Sequence, residues 1–233
     1  LWQTEDGAVW AGGTDARVFR FNGDEWHALE RQNRFIMVPV GVPARDGSIW
    51  FQDWGSGHGQ GRVHRFHPGN VWSQYTYPGG LSGGLEADDG SVWFHTRMQA
   101  VQYRDGLWLG YGPQDGFLDG DVYGLHRTSD ALWFVGTHRG QNAVARYDPS
   151  GWRIFSVTDG LIDEIHQPRR LQKDLPVGFN FMFPILETRD GAVWFMGKHN
   201  GQAAVCGFDG QNWTRYTSTD GLVGEWVNVG YAA

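Results

Sequence analysis

Asp46-Gly47-Ser48-Ile49-Trp50 is a tight-turn dipeptide running into a β-branched residue and a Trp, and the chain repeats it. The other copies are Asp6-Gly7-Ala8-Val9-Trp10, Asp89-Gly90-Ser91-Val92-Trp93, Ser129-Asp130-Ala131-Leu132-Trp133 and Asp190-Gly191-Ala192-Val193-Trp194. Each copy is trailed by a second turn and a second Trp, at Trp26, Trp72, Trp108, Trp152 and Trp213, so ten of the 13 Trp residues belong to the repeat. The first Trp residues are 40, 43, 40 and 61 residues apart. A period of about forty residues with two turns per period is the mark of a β-propeller blade. The expectation is one all-β domain over residues 1–233, a β-propeller of five four-stranded blades. The blades fall near residues 1–34, 35–80, 81–117, 118–162 and 180–226, with an insertion at 163–179. They form either a closed five-bladed ring or a segment of a larger array. At the ends, Leu1-Trp2-Gln3-Thr4 and residues 227–231 both align with a blade's first strand, which fits either arrangement.

The fourth copy shows how one period folds. Val122-Tyr123-Gly124-Leu125-His126, Leu132-Trp133-Phe134-Val135, Ala143-Val144-Ala145-Arg146-Tyr147 and Trp152-Arg153-Ile154-Phe155-Ser156-Val157 are short, β-branched and aromatic. Turn residues separate them, as antiparallel hairpins require. No apolar spacing of three and four persists long enough for a helix. A lone sheet of this kind leaves two apolar faces wet. Packing blade on blade buries both, with the paired Trp residues, Phe19, Phe66, Tyr103, Tyr147 and Phe208 as filling.

Composition narrows the function classes. The 35 Gly residues are scattered through turns instead of forming a flexible tract, and aromatics make up 15% of the chain. A formal net charge of -7 argues against a general affinity for nucleic acid or an anionic membrane. No apolar stretch reaches the ~20 residues of a membrane span, and the N-terminus lacks a basic-then-apolar signal region. The one cysteine, Cys206, lies in the apolar run Ala204-Val205-Cys206-Gly207-Phe208 and reads as a small buried hydrophobe.

The string Phe208-Asp209-Gly210-Gln211-Asn212-Trp213-Thr214-Arg215-Tyr216-Thr217, followed by Asp220-Gly221-Leu222, resembles the two-component regulator propeller repeat. Tyr147 to Leu161, with Trp152 and Thr158-Asp159-Gly160-Leu161, resembles it too, and all five copies match in part. Copy one lacks the closing Asp-Gly-Leu, copy two has Gly79-Gly80-Leu81 and copy three Asp115-Gly116-Phe117. The resemblance implies a periplasmic or extracellular sensor region of a membrane-bound signalling protein, recognising saccharides or related small molecules. It implies no ligand residue, because the repeat motif is structural.

Strands alternate in direction within a blade, so the Asp-Gly turns lie at one end and the loops after each second strand at the other. Three of those loops place a His shortly before a Gly-Gln or an equivalent pair: His58-Gly59-Gln60, His138-Arg139-Gly140-Gln141 and His199-Asn200-Gly201-Gln202. The matching loops Thr14-Asp15-Ala16-Arg17 and Thr96-Arg97-Met98-Gln99 lack the His. Three readings are open. The His and Gln side chains cap tight turns. Alternatively, Trp54, His58, Gln60, His138, Arg139, Gln141, His166, Arg169, Arg170, His199 and Gln202 form a polar ligand site on a loop face completed by the insertion. In that reading Arg forks favour a carboxylate or sulfate substituent, and Trp54 offers a stacking face. Finally, His58, His138 and His199 converge on a metal.

The chain carries no Gly-x-Ser-x-Gly elbow, His-Glu-x-x-His or phosphate-binding Gly-Lys-Ser/Thr. Asp163 and Glu164 are adjacent carboxylates at the insertion and read as a solvated pair. The leading expectation is therefore a non-enzymatic binder without a cofactor. Its partner is a small-molecule or saccharide ligand, and it has no nucleic-acid partner and no direct membrane contact. A propeller lyase, with His138 or His199 taking a proton and a divalent metal assisting, is the alternative, and a protein-binding scaffold is the third.

Overall fold

A computed structural model describes residues 1–4, 6–12, 17–29, 41–53, 60–69, 71–165, 185–225 and 227. Among them lie five antiparallel sheets, in each of which strand order follows chain order. Blade one is β1 (Trp2–Gln3), β2 (Val9–Gly12), β3 (Val18–Phe21) and β4 (Trp26–Ala28). Blade two is β5 (Gly41–Pro43), β6 (Ile49–Asp53), β7 (Gln60–His67) and β8 (Val71–Pro78). Blade three is β9 (Ser82–Glu86), β10 (Val92–His95), β11 (Ala100–Arg104) and β12 (Leu107–Tyr111). Blade four is β13 (Val122–Arg127), β14 (Leu132–His138), β15 (Gln141–Asp148) and β16 (Gly151–Ser156). Blade five is β17 (Glu164–Ile165), β18 (Ile185–Glu187), β19 (Val193–His199), β20 (Gln202–Phe208) and β21 (Trp213–Tyr216). Five successive antiparallel sheets in an all-β chain are the expected architecture. No helix among the described residues is long and apolar enough to cross a membrane.

Two compact units, Leu1–Gly110 and Tyr111–Ala233, divide the chain. In the first, Trp10 of blade one packs its ring 5.2 Å from Phe66 and 6.1 Å from Phe51 of blade two. Trp50 of blade two in turn meets Tyr103 of blade three at 4.9 Å. In the second unit, Trp133 of blade four faces Phe195 and Phe208 of blade five, and Trp213 faces back to Phe155. Thus a blade's first Trp packs forward and its second packs backward, and each aromatic so buried removes roughly 150–250 Å² from water. Trp26, the second Trp of blade one, departs from this: it is 47% exposed, and among the described residues its ring partner is Phe21 of its own hairpin.

A carboxylate also joins neighbouring blades. Glu86, closing β9, accepts the Arg45 amide at 2.8 Å, and Glu187, closing β18, accepts the Ser129 amide at 2.9 Å.

The closing Asp-Gly-Leu motif builds a single 3-10 turn. Asp159 caps it by accepting the Ser156 amide at 2.8 Å, Gly160 turns back at φ 119°, and Leu161 enters the core fully buried. A Cβ on Gly160 would stand 2.4 Å from the Trp213 Cβ, so the motif needs Gly both for its left-handed backbone and for closeness to the next blade.

The insertion enters at a different point from the one its sequence position indicates. Glu164 and Ile165 pair with Lys198 and Gly197, whereas Ile185 to Glu187 pair with Phe195 to Val193. Blade five's first strand therefore comes in two pieces, and residues 166–184 leave from its middle. Blade four has a β-bulge in the same place, where Val122 lies opposite Gly136 but Gly124 opposite Val135. A bulge already leaves the ladder unpaired there, so extra chain can exit without breaking flanking hydrogen bonds.

Candidate functional site

The loops expected at His138-Arg139-Gly140-Gln141 and His199-Asn200-Gly201-Gln202 are tighter than their sequences indicate. The strands run on until His138 faces Gln141 and His199 faces Gln202 across the ladder, leaving two-residue turns. Arg139 and Gly140 adopt φ 50° and 73°, and Asn200 and Gly201 adopt φ 51° and 75°. Two consecutive left-handed residues make the hairpin turn whose twist matches the strands it joins.

An aspartate from the crossover into each blade secures each turn. Asp119 accepts the Arg139 amide at 2.8 Å and lies 3.3 Å from His138 Nδ1. Asp163 accepts the Asn200 amide at 2.8 Å and lies 3.5 Å from His199 Nδ1. Asp163 therefore anchors a turn instead of standing solvated. Its backbone carbonyl also accepts from Asn142 Nδ2 at 2.5 Å, so one residue joins the β14–β15 hairpin to the β19–β20 hairpin. Tyr123 supports the junction, with its hydroxyl 2.5 Å from Asn142 Oδ1.

The two hairpins then diverge. Arg215 Nη1 donates to His199 Nε2 at 2.8 Å, and Nη2 donates to the Leu161 carbonyl at 2.7 Å. A guanidinium has no acceptor, so His199 Nε2 must accept and the ring proton resides on Nδ1, facing Asp163. Gln202 Oε1 accepts from the Ser218 hydroxyl at 2.6 Å. Blade four has Ile154 where blade five has Arg215, counting from Trp152 and Trp213. Among the described residues, His138 Nε2, the Arg139 guanidinium and the Gln141 amide have no protein hydrogen-bond partner.

Of the expected site residues, His138, Arg139 and Gln141 thus share one hairpin end, and His199 and Gln202 share another that is occupied by internal contacts. Trp54, His58, His166, Arg169 and Arg170 lie outside the described residues, and so does the side chain of Gln60, which opens β7. No group of three metal-ligating side chains converges among the described residues, with His58 outside them. Asp119 and Arg215 are the contributors that sequence reasoning missed. Asp119 carries no motif of its own, and only the pairing of Leu118-Asp119 with Ile162-Asp163, each ahead of a His hairpin, marks it.

A concavity lies at the Asp-Gly end of blades two and three. It encloses about 660 Å³ and is lined by Arg45, Arg65, Arg104, Asp46, Asp88 and Asp89 among others. Its charges are spent on one another: Arg45 bonds Asp88 at 2.5 Å, Arg104 bonds Asp89 at 3.1 Å, and Arg65 bonds Asp46 while lying 4.8 Å above Trp50. Cys206 is buried, and burial pushes its thiol up to about 12, which makes it a packing residue and not a nucleophile.

No protein-family model matches the chain, and no curated protein matches it. Solved structures do. The extracellular domain of a putative hybrid two-component system from B. thetaiotaomicron is similar over 95% of this chain and 29% of its own, at 14% identity and a TM-score of 0.61. The extracellular domain of a second putative hybrid two-component system from the same organism is similar over 93% of this chain and 32% of its own, at 9% identity and a TM-score of 0.50. The chain spans about a third of the length of these structures, and the likeness is one of fold.

Proposed function

We propose that the chain is a non-enzymatic sensor propeller that recognises a saccharide or another small polar ligand at the hairpin end of blades four and five, outside the cytoplasm. The observation that carries this is the unspent chemistry of the β14–β15 turn: an imidazole nitrogen, a guanidinium and an amide, mounted on a rigid hairpin braced by Asp119. Ligand sites combine such convergent polar groups with a fixed scaffold. The fold neighbours named as extracellular domains of two-component systems support the sensor role and the location.

Thermal unfolding with neutral and acidic oligosaccharides tests the reading, since a ligand at 100 times its Kd adds about 2.7 kcal/mol. A shift abolished by Gln141→Ala with His138→Ala supports it, and no shift with any saccharide counts against it. One observation favours the lyase as a second reading: the Asp119 carboxylate lies 3.3 Å from His138 Nδ1 and Nε2 is unengaged among the described residues, which leaves the ring open to take a proton. His199 does not share it, because Arg215 occupies Nε2. Appearance of an unsaturated uronate product, lost in His138→Ala, would replace the binder by the enzyme.

A further inference from the structure

The twin hairpins differ at one backbone position in a way their sequences leave unexplained by folding. A left-handed first turn residue suits Asn, as blade five has at Asn200, and costs a long side chain such as Arg. Blade four nevertheless holds Arg139 there at φ 50°. The neighbouring carboxylate gives it nothing in return: Asp119 takes the residue's amide and faces the His138 ring, leaving the guanidinium exposed and without a partner among the described residues. Three other arginines of the same unit are engaged. Arg146 is held by Asp130 and Asp148, Arg215 by His199 and Leu161, and Arg153 lies 4.6 Å over Phe155. Backbone strain retained without a structural return marks a residue kept for what it contacts outside the fold.

From this we infer that Arg139 takes an anionic substituent of the ligand, a carboxylate or a sulfate, with His138 Nε2 and Gln141 as neighbouring hydrogen-bonding groups. The blade-five hairpin is the brace and the blade-four hairpin the reader. A guanidinium presents paired N–H groups that match the two oxygens of either anion. The inference rests on the proposed ligand-binding function and adds the charge of the ligand to it.

The test exchanges the reader for the brace's residue. Arg139→Asn fits the turn, so the variant should unfold at the same temperature as the parent or higher. Thermal shifts are measured for both proteins with sodium glucuronate, a uronate trisaccharide, sodium sulfate at ionic strength matched by chloride, and a neutral trisaccharide. The expected result is a shift of the parent by the uronates and sulfate, with the apparent affinity falling at least tenfold in Arg139→Asn, and an equal response of both proteins to the neutral sugar. Equal anion shifts in parent and variant overturn the inference, and so does the absence of any anion shift in the parent. If the neutral sugar still shifts the parent in either case, the proposed function stands and only the anion assignment fails. If neither the sugars nor the anions shift the parent, both fall.

Discussion

The two ends of a blade carry similar residues and use them in opposite ways. At the Asp-Gly end the turn aspartate is met by an arginine from the third strand: Arg20 on Asp6, Arg65 on Asp46, Arg104 on Asp89 and Arg146 on Asp130. In blades one, two and four that guanidinium also lies over the first Trp, at 5.5, 4.8 and 5.8 Å. Turn hydroxyls close the arrangement, as where Thr4 donates to Asp6 and accepts from the Trp10 indole. The Asp6 carboxyl is held below the usual range, first by Thr4. For Asp46, burial pushes upward, yet the Ser48 hydrogen bonds and the Arg65 charge outweigh it. At the hairpin end of blade four, by contrast, Arg139 is held at φ 50° with no partner among the described residues. A repeat fold stabilises itself by copying one end, and the other end is free to vary.

The largest effect expected at the copied end is loss of its Trp. Trp133→Ala removes a fully buried ring that touches Phe155, Phe195 and Phe208, and should cost about 3–5 kcal/mol in urea unfolding. A variant as stable as the parent would break the forward-packing assignment.

Acid should expose the next weakness. His95 is buried at the end of β10, its Nδ1 3.0 Å from the Thr96 carbonyl, and burial lowers it to about 4. The unfolded chain takes up this proton near 6.5, whereas the folded chain resists until about 4. Stability is therefore intact above 6.5 and falls through that window, by about 3 kcal/mol at its lower end. His95→Met, which copies Met196 at the matching position of blade five, should flatten the unfolding free energy between pH 6.5 and 4 relative to the parent. Parallel pH profiles would show that burial of this ring does not control acid stability.

How much of this was legible beforehand follows from range. Turn dipeptides and Trp spacing are local signals, so the five blades and the 3-10 turns' glycines could be read from them. The third-strand arginines were visible as letters, but their partners lie 14 to 19 residues away, as Arg20 to Asp6 and Arg65 to Asp46 show, and no local pattern pairs them. At the site, the recurring His and Gly-Gln letters marked the hairpins, and their tightness was missed because Arg139 is a poor residue for the turn it occupies. Asp163 was read as solvated for the same reason: its contacts, to Asn142 and Asn200, come from two different hairpins.

That junction gives a sharper test of the brace. Asp163→Ala keeps the backbone carbonyl that accepts from Asn142 but removes the carboxylate that accepts the Asn200 amide and faces His199, at a cost of about 1–3 kcal/mol. Asp119→Ala removes the same amide contact in blade four, where no arginine and no neighbouring blade depend on it. Hydrogen exchange should rise at Asn200 and spread to the β19–β20 ladder in the first variant, and stay confined to Arg139 in the second. Equal, confined responses would mean the hairpins are not divided into brace and reader.

The smallest effects lie within the copied clamp. Arg146 has a side chain 16% exposed between Asp130 and Asp148, whereas Arg20 is 39% exposed and, among the described residues, has Asp6 alone as a charge partner. Exposed pairs contribute about 0–1 kcal/mol and are screened by salt, while a half-buried guanidinium over an indole keeps both its ring contact and its charge partners. Arg146→Met should therefore cost about 1–2 kcal/mol with little salt dependence, and Arg20→Met at most about 0.5 kcal/mol, vanishing in 1 M salt at a Debye length of about 3 Å. Blade five already lives without the clamp. Gly207 takes the arginine's place, with Trp194 resting 3.1 Å from where a Cβ would be and stacking on Tyr216 at 5.8 Å. If Arg146→Met were as mild as Arg20→Met, the clamp would be an ornament of the repeat, and the contrast between the two ends would rest on the Trp residues alone.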